Sequence, residues 1–207
     1  MYAAVSEKER LKALCSYENE LYGKGYSFLA GIDEVGRGCL AGCVVACAVI
    51  LPAGFTYAGI NDSKKVSPKR REALSEILRE KAVSVGIGAI DAETIDNVNI
   101  LQATILAMCA AVANLDLTPE YLLIDALKLP LDIPQTPITG GDAKSISIAS
   151  ASIVAKVYRD NLMRELDKLY PEYGFAQNKG YGTAAHIAAI KKHGLCPVHR
   201  RSFNVKK

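Results

Sequence analysis

The sequence predicts an α/β domain built on a mixed β-sheet, and three observations carry that reading. Three extended segments come early in the chain, and helical and extended segments alternate after them. Residues 43–51 are apolar at every position, as a strand covered on both faces must be. The 207 residues are 50% apolar and 23% charged, and no Ser- or Gly-rich linker divides them. A chain of that length buries about 70% of its unfolded surface, so folding needs no disulfide or metal staple. One domain spanning residues 1–207 is expected, with residues from about 171 onward forming a basic C-terminal extension.

Each element has its own signal. Residues 7–21 carry Leu11, Leu14 and Leu21 at helical spacing and stop near Gly23 and Gly25. Residues 26–33 read as a first strand that gives way at Gly36-Arg37-Gly38, and residues 43–51 as a second, closed by Pro52-Ala53-Gly54. Ser67-Pro68 starts a helix over 69–81, with proline in the first turn where its missing N–H costs nothing. In residues 83–90, Val83, Val85 and Ile87 alternate with Ser84, Gly86 and Gly88, predicting a third strand. Residues 99–115 are apolar almost all round, which predicts a buried helix. A short strand follows at 121–125 and a weaker one near 137–139, before Gly140-Gly141-Asp142. Residues 145–170 form a long helix with Val154, Tyr158, Leu162, Leu166 and Tyr170 at steps of four. A last helix, 184–192, has Thr183 as its N-cap and Gly194 after its end.

Composition excludes several classes. The longest apolar stretch, residues 40–51, is far short of the roughly 20 residues a membrane span needs. The first ten residues lack a basic segment followed by an apolar core, so no secretion signal and a cytoplasmic location are expected. Cys39, Cys43 and Cys47 are spaced by four, which raises a metal–thiolate site. Their apolar neighbours favour small buried hydrophobes instead, and His186, His193 and His199 supply no zinc-ligand spacing. Charge is uneven: from Lys156 to the end there are 11 Lys and Arg against 4 Asp and Glu, while the preceding 155 residues are net −4. That asymmetry fits an enzyme of nucleic acids with carboxylate-held metals, and it also fits a plain solvated basic surface.

Four acids stand where strands end or loops begin: Asp33, Glu34, Asp125 and Asp142. Ligands of α/β sheets gather at the carboxyl ends of strands. Carboxylates collected there repel one another unless cations neutralise them, and hard Mg2+ or Mn2+ ions suit such oxygens. Two such ions can clamp both oxygens of a phosphoryl displacement. Asp33 and Glu34 are adjacent and would point to opposite faces of a strand, so both reach one site only if the strand is breaking there. Solvated loop carboxylates are the alternative for each acid. Gly36-Arg37-Gly38 is neither a P-loop nor a dinucleotide fingerprint. It either presses its backbone against a sugar-phosphate while Arg37 takes a phosphate oxygen, or it is a hairpin turn. Asp62-Ser63-Lys64-Lys65 offers Lys64 as a phosphate-binding lysine, with an ordinary surface lysine as the alternative. Tyr181, between Gly180 and Gly182, either stacks on a sugar or base or packs beneath its loop.

In order along the chain, Gly31-Ile-Asp-Glu-Val-Gly-Arg-Gly38, Asp62-Ser-Lys64, Leu123-Ile-Asp125, Gly141-Asp-Ala143, Ala151-Ser-Ile-Val-Ala-Lys-Val157 with Arg159-Asp160, Gly180-Tyr-Gly182 and His199-Arg200 resemble bacterial ribonuclease HII. The resemblance runs from about Ala30 to Phe203. It implies the ribonuclease H fold, a five-stranded mixed sheet flanked by helices with a helical C-terminal portion. It also implies hydrolysis of RNA in RNA–DNA hybrids, and of the phosphodiester 5′ to a single ribonucleotide in duplex DNA, leaving a 3′-hydroxyl and a 5′-phosphate. Asp33, Glu34, Asp125 and Asp142 match the family's metal-binding carboxylates. Asp33 would bridge two ions, Asp142 would serve the water-activating one, and Glu34 and Asp125 the leaving-group one. Gly36, Arg37 and Gly38 match the segment that senses the ribose 2′-hydroxyl, and Tyr181 the tyrosine that stacks at the RNA–DNA junction. A monomer is expected. The Gly-Arg-Gly segment separates this chain from the related type-3 enzymes. Cys39 and Cys43 stand where the family usually has prolines, Ala126 where glycine is commoner, and Ser150 where alanine is. A catalytically silent binding module and a phosphotransferase are the rivals. Retention of all four acids opposes the first, and the absence of a nucleotide-cradling loop opposes the second.

Overall fold

A computed structural model describes residues 6–61, 63 and 66–204. Five strands, β1 (Leu29–Val35), β2 (Val44–Ile50), β3 (Ser84–Ile90), β4 (Tyr121–Asp125) and β5 (Gln135–Ile138), form one sheet in the order β3-β2-β1-β4-β5. β2 runs antiparallel to β1 and β3, whereas β4 and β5 run parallel to β1. The sheet is mixed, as predicted. All seven residues of β2 are inaccessible to solvent, so its unbroken apolar run does cover both faces of a central strand.

Helices α1 (Glu7–Leu14), α2 (Ser16–Gly23), α3 (Pro68–Lys81), α4 (Ala92–Val98), α5 (Ile100–Ala113), α6 (Ile146–Leu169), α7 (Phe175–Asn178) and α8 (Ala184–His193), with 3₁₀ turns at Gly141–Ala143 and Pro171–Tyr173, complete the described elements. One sheet face presents Val45, Cys47 and Val49 to Leu74 and Leu78 of α3 and Ile153 of α6. The other presents Ala30, Ile32, Ala46 and Ala48 to Ala103, Ala107 and Ala111 of α5. Three sequence expectations need correction. The first helix is two, parted at Cys15, whose backbone leaves helical geometry (φ −94°, ψ 8°). α4 was not expected; Asp91 caps it through the Thr94 N–H, and Asn99, at φ 70°, ends it and caps α5. The helix over 99–115 is not buried all round, because Leu101 and Leu106 are exposed. The alternation in β3 is real, but its most buried face is Ser84, Gly86 and Gly88, where α5 packs too closely for side chains.

α6 is the element that positions the site. Ser145 caps it by accepting from the Ile148 N–H. Its first turn lies so close to β1 that a Cβ on Gly31 would overlap the Ser147 backbone. Glu18 of α2, buried and missed by sequence reasoning, accepts from Ser145 Oγ at 2.5 Å and from the Ser147 N–H at 3.0 Å. A carboxylate there satisfies a free donor of the helix start and sits at the positive end of its dipole. No described helix is long and apolar enough to cross a membrane.

Candidate active site

Sequence reasoning required β1 to break at Glu34. The strand instead continues to Val35 on its β2 side, with Glu34 opposite Ala46 and Val35 opposite Val45. What ends is its pairing with β4, whose last register pair is Ile32 with Ile124. From Asp33 onward the β4 side of β1 is open, and the Glu34 N–H turns to the Asp33 carboxylate (2.8 Å). Asp125 closes β4 beside this opening, its Oδ1 accepting from the Gly141 N–H at 2.7 Å. One oxygen each of Asp33, Glu34 and Asp125 thus lies within 4.8 Å of the other two. Asp142 falls on the 3₁₀ turn Gly141–Ala143 and lines the same cleft, outside this tight set. Ser63, Ser152, Lys156 and Tyr181 line it as well. Lys64 lies outside the described residues.

The electrostatics are those of a site short of positive charge. Burial, with the charges of Glu34 and Asp125, pushes the Asp33 carboxyl well above its ordinary value. Burial also raises Glu34, against the pull of Arg37, whose Nη1 lies 3.3 Å from Glu34 Oε1. Glu34 Oε2 is buried and has no hydrogen-bond partner. An orphaned carboxylate oxygen beside two further carboxylates fits a hard divalent cation, which takes oxygen ligands and offsets their repulsion.

The two substrate-binding segments proposed from sequence flank this cleft. Arg37 and Gly38 are exposed at the turn after β1, whereas Gly36 is buried. A Cβ on Gly38 would meet nothing within 4 Å, so the fold itself does not demand glycine there. Tyr181 is 41% exposed and its ring borders the carboxylates. Its backbone is fixed by its N–H on Asn178 O and by the Thr183 N–H on its own carbonyl. Sequence reasoning missed a polar face of α6. Ser152, Lys156 and Arg159, at steps of four and three, share one side of the helix and face the cleft and the turn after β1.

The ribonuclease HII family model matches residues 30–206. The chain belongs to that family. Ribonuclease HII of Bacillus mycoides (strain KBAB4) is 55% identical over 200 residues, covering 97% of this chain and 78% of the relative. That of Bacillus thuringiensis (strain Al Hakam) is 56% identical with the same coverage. Ribonuclease H2 from Pyrococcus horikoshii OT3 has the same fold, with a TM-score of 0.72 at 24% identity over 86% of this chain and 94% of its own. The protein is therefore a hydrolase of the ribonuclease H type.

The residues singled out above as unusual for the family have physical consequences. Ala126 adopts φ 55°, a left-handed conformation that costs an L-residue with a Cβ about 1 kcal/mol and costs glycine little. Ala126→Gly is expected to stabilise the protein by up to about 1 kcal/mol, raising its thermal midpoint by about 2–4 °C. A melting curve checks this, and a lower midpoint contradicts it. Ser150 returns its hydroxyl to the Ile146 carbonyl (2.7 Å), and Cys39 is fully buried with its thiol on Lys179 O.

A histidine pair lies under Tyr181. His186 Nδ1–H donates to the Tyr181 carbonyl (2.9 Å), so its Nε2 accepts from His199 Nε2–H (3.0 Å). His199 Nδ1 accepts in turn from the Cys196 N–H. Both rings are neutral in this arrangement, and burial lowers both, His199 to about 4. Below pH 6.5 the unfolded rings bind protons that the folded ones refuse, so their contribution to stability is lost as pH falls from about 6.5 towards 4. The raised Asp33 and Glu34 titrate with the opposite sign, stabilising as pH falls. The difference in stability between wild type and His199→Gln is free of that effect. It is expected to shrink between pH 7 and pH 4.5 in denaturant titrations, and a constant difference contradicts the neutral pair.

Proposed function

We propose that the protein is a divalent-metal-dependent endoribonuclease that hydrolyses the RNA strand of RNA–DNA hybrids. It also cuts 5′ of single ribonucleotides embedded in duplex DNA, leaving a 3′-hydroxyl and a 5′-phosphate. The observation that carries this reading is one cleft lined by Asp33, Glu34, Asp125, Asp142 and Tyr181, beside an exposed Arg37-Gly38 backbone. Asp33, Glu34, Asp125 and Asp142 would hold the ions, Mg2+ or Mn2+, the first three as the tight set and Asp142 from the same cleft. Such ions activate water and stabilise a leaving oxygen. The protein's own groups do the positioning. Arg37 exchanges its contact with Glu34 for a phosphate oxygen, Gly38 admits the sugar-phosphate backbone because it carries no side chain, and Tyr181 packs against the neighbouring sugar. Lys156, paired with Asp160 at 2.6 Å, adds positive charge to the far wall.

The chain is read as one catalytic domain with a basic C-terminal extension, acting in the cytoplasm as a monomer. The deciding test is cleavage of duplex DNA containing one ribonucleotide, with and without Mg2+ or Mn2+. The reading requires a single cut 5′ of that ribonucleotide that depends on the ion; ion-independent cleavage, or none, refutes it. The basic C-terminal quarter also predicts that duplex binding weakens steeply with salt through counterion release. A flat log–log plot of affinity against salt would contradict that role.

A further inference from the structure

Two arginines beside the cleft are buried, and neither has a carboxylate partner among the described residues: Arg159 is 0% and Arg200 2% exposed. Both spend their guanidinium donors on backbone carbonyls. Arg200 donates to Gly36 O (2.7 Å), Arg37 O (2.9 Å) and Gly42 O (2.8 and 3.0 Å). Arg159 donates to Cys43 O (2.9 Å), Ala41 O (3.2 Å) and Lys179 O (2.8 Å). Across a planar trans peptide, the carbonyl of one residue and the N–H of the next point in opposite directions. Holding the Gly36 and Arg37 carbonyls inward therefore turns the N–H groups of Arg37 and Gly38 outward. Both residues are exposed, and those N–H groups donate to nothing among the described residues.

We propose that Arg200 is a positioning residue for substrate reading: its fork on the Gly36 and Arg37 carbonyls aims the Arg37 and Gly38 amides at the sugar-phosphate backbone. This rests on the reading that Gly36–Gly38 meets the substrate. Arg159 supports the same face. Its guanidinium occupies the place a Gly36 Cβ would fill, and its bond to Lys179 O ties the segment to the turn that carries Tyr181. Lysine cannot replace Arg200, because one ammonium does not present donors to three carbonyls in a fixed plane. Buried charge without a carboxylate partner is costly, and donating four N–H bonds from Arg200 and three from Arg159 to carbonyls is what makes it tolerable.

The test compares Arg200→Lys with Gly38→Ala. Single-turnover rates are measured in Mg2+ on a DNA duplex with one ribonucleotide and on an RNA–DNA hybrid, and the Arg37 and Gly38 amides are followed by NMR. A hybrid offers a ribose at every step and tolerates a shifted reading face, whereas a lone ribonucleotide does not. Arg200→Lys is therefore expected to lower the ratio of the two rates at least about tenfold and to move both amide resonances. A smaller folded fraction scales both rates equally, so an unchanged ratio assigns Arg200 to structure alone and overturns the proposal. Should Arg200→Lys not fold, the wild type decides: slow exchange of the Arg200 Nη1 and Nη2 protons, which reach the Arg37 and Gly36 carbonyls, sustains the clamp and fast exchange overturns it. If Gly38→Ala cleaves both substrates normally, the segment does not meet substrate and the assignment falls with that reading. If only Gly38→Ala impairs the single-ribonucleotide rate, the reading stands and the clamp fails.

Discussion

Asp125→Asn is expected to abolish cleavage while making the metal-free protein more stable. The amide keeps the size of the carboxylate, and its oxygen still accepts from the Gly141 N–H, so the junction of β4 with the turn before α6 is preserved. The charge that would hold a hard cation is gone, and a loss beyond 10³-fold in single-turnover rate is expected, a barrier increase of about 4 kcal/mol. In the same variant one of three mutually repelling carboxylates becomes a neutral amide. Relief of that repulsion should raise stability in EDTA by about 1 kcal/mol. Adding the divalent ion should then raise the melting temperature of the wild type more than that of Asp125→Asn, because binding stabilises only the state that binds. Near-normal turnover, or identical metal-induced shifts in both proteins, contradicts the assignment.

The same local conflict is what makes this candidate site legible in sequence. Acids immediately after apolar strand residues conflict with the local pattern, and such conflicts mark function. β2 and β4, α6, and α8 with its Thr183 cap follow from periodicity and capping, because their signals are local. Other features depend on partners distant in sequence. That Asp33 and Glu34 reach one site depends on where β4 stops pairing with β1, about 90 residues away in the chain. Glu18 reads as an ordinary helical acid until the start of α6 is placed over it. Arg159 and Arg200 read as part of a basic surface, yet both are interior, since only the folded chain shows which carbonyls they meet. The break at Cys15 has no comparable signal, for no proline or glycine stands there.

The last expectation concerns selection of ribose over deoxyribose, and it divides between the Gly38 segment and Tyr181. A site whose amides hydrogen-bond a hydroxyl is left with unpaired polar groups when the hydroxyl is missing, and such sites discriminate by about 10⁴-fold or more. All-DNA duplex should resist cleavage at that level while still binding, because affinity comes mainly from phosphate charge. Tyr181 contributes differently. Its backbone is held on three sides, by Asn178 O, the Thr183 N–H and His186 Nδ1, which sets where its half-exposed ring enters the cleft wall. Removing the ring in Tyr181→Ala costs stacking of about 1–3 kcal/mol at most in affinity, but it frees the sugar to move. Displacement of about 1 Å at the reacting phosphate costs about 100-fold in rate. The single-turnover rate on a one-ribonucleotide duplex should therefore fall further than the affinity does. Binding and cleavage measured on the same duplex decide it: equal losses make Tyr181 a binding residue only, and no loss in either returns its ring to packing beneath the loop.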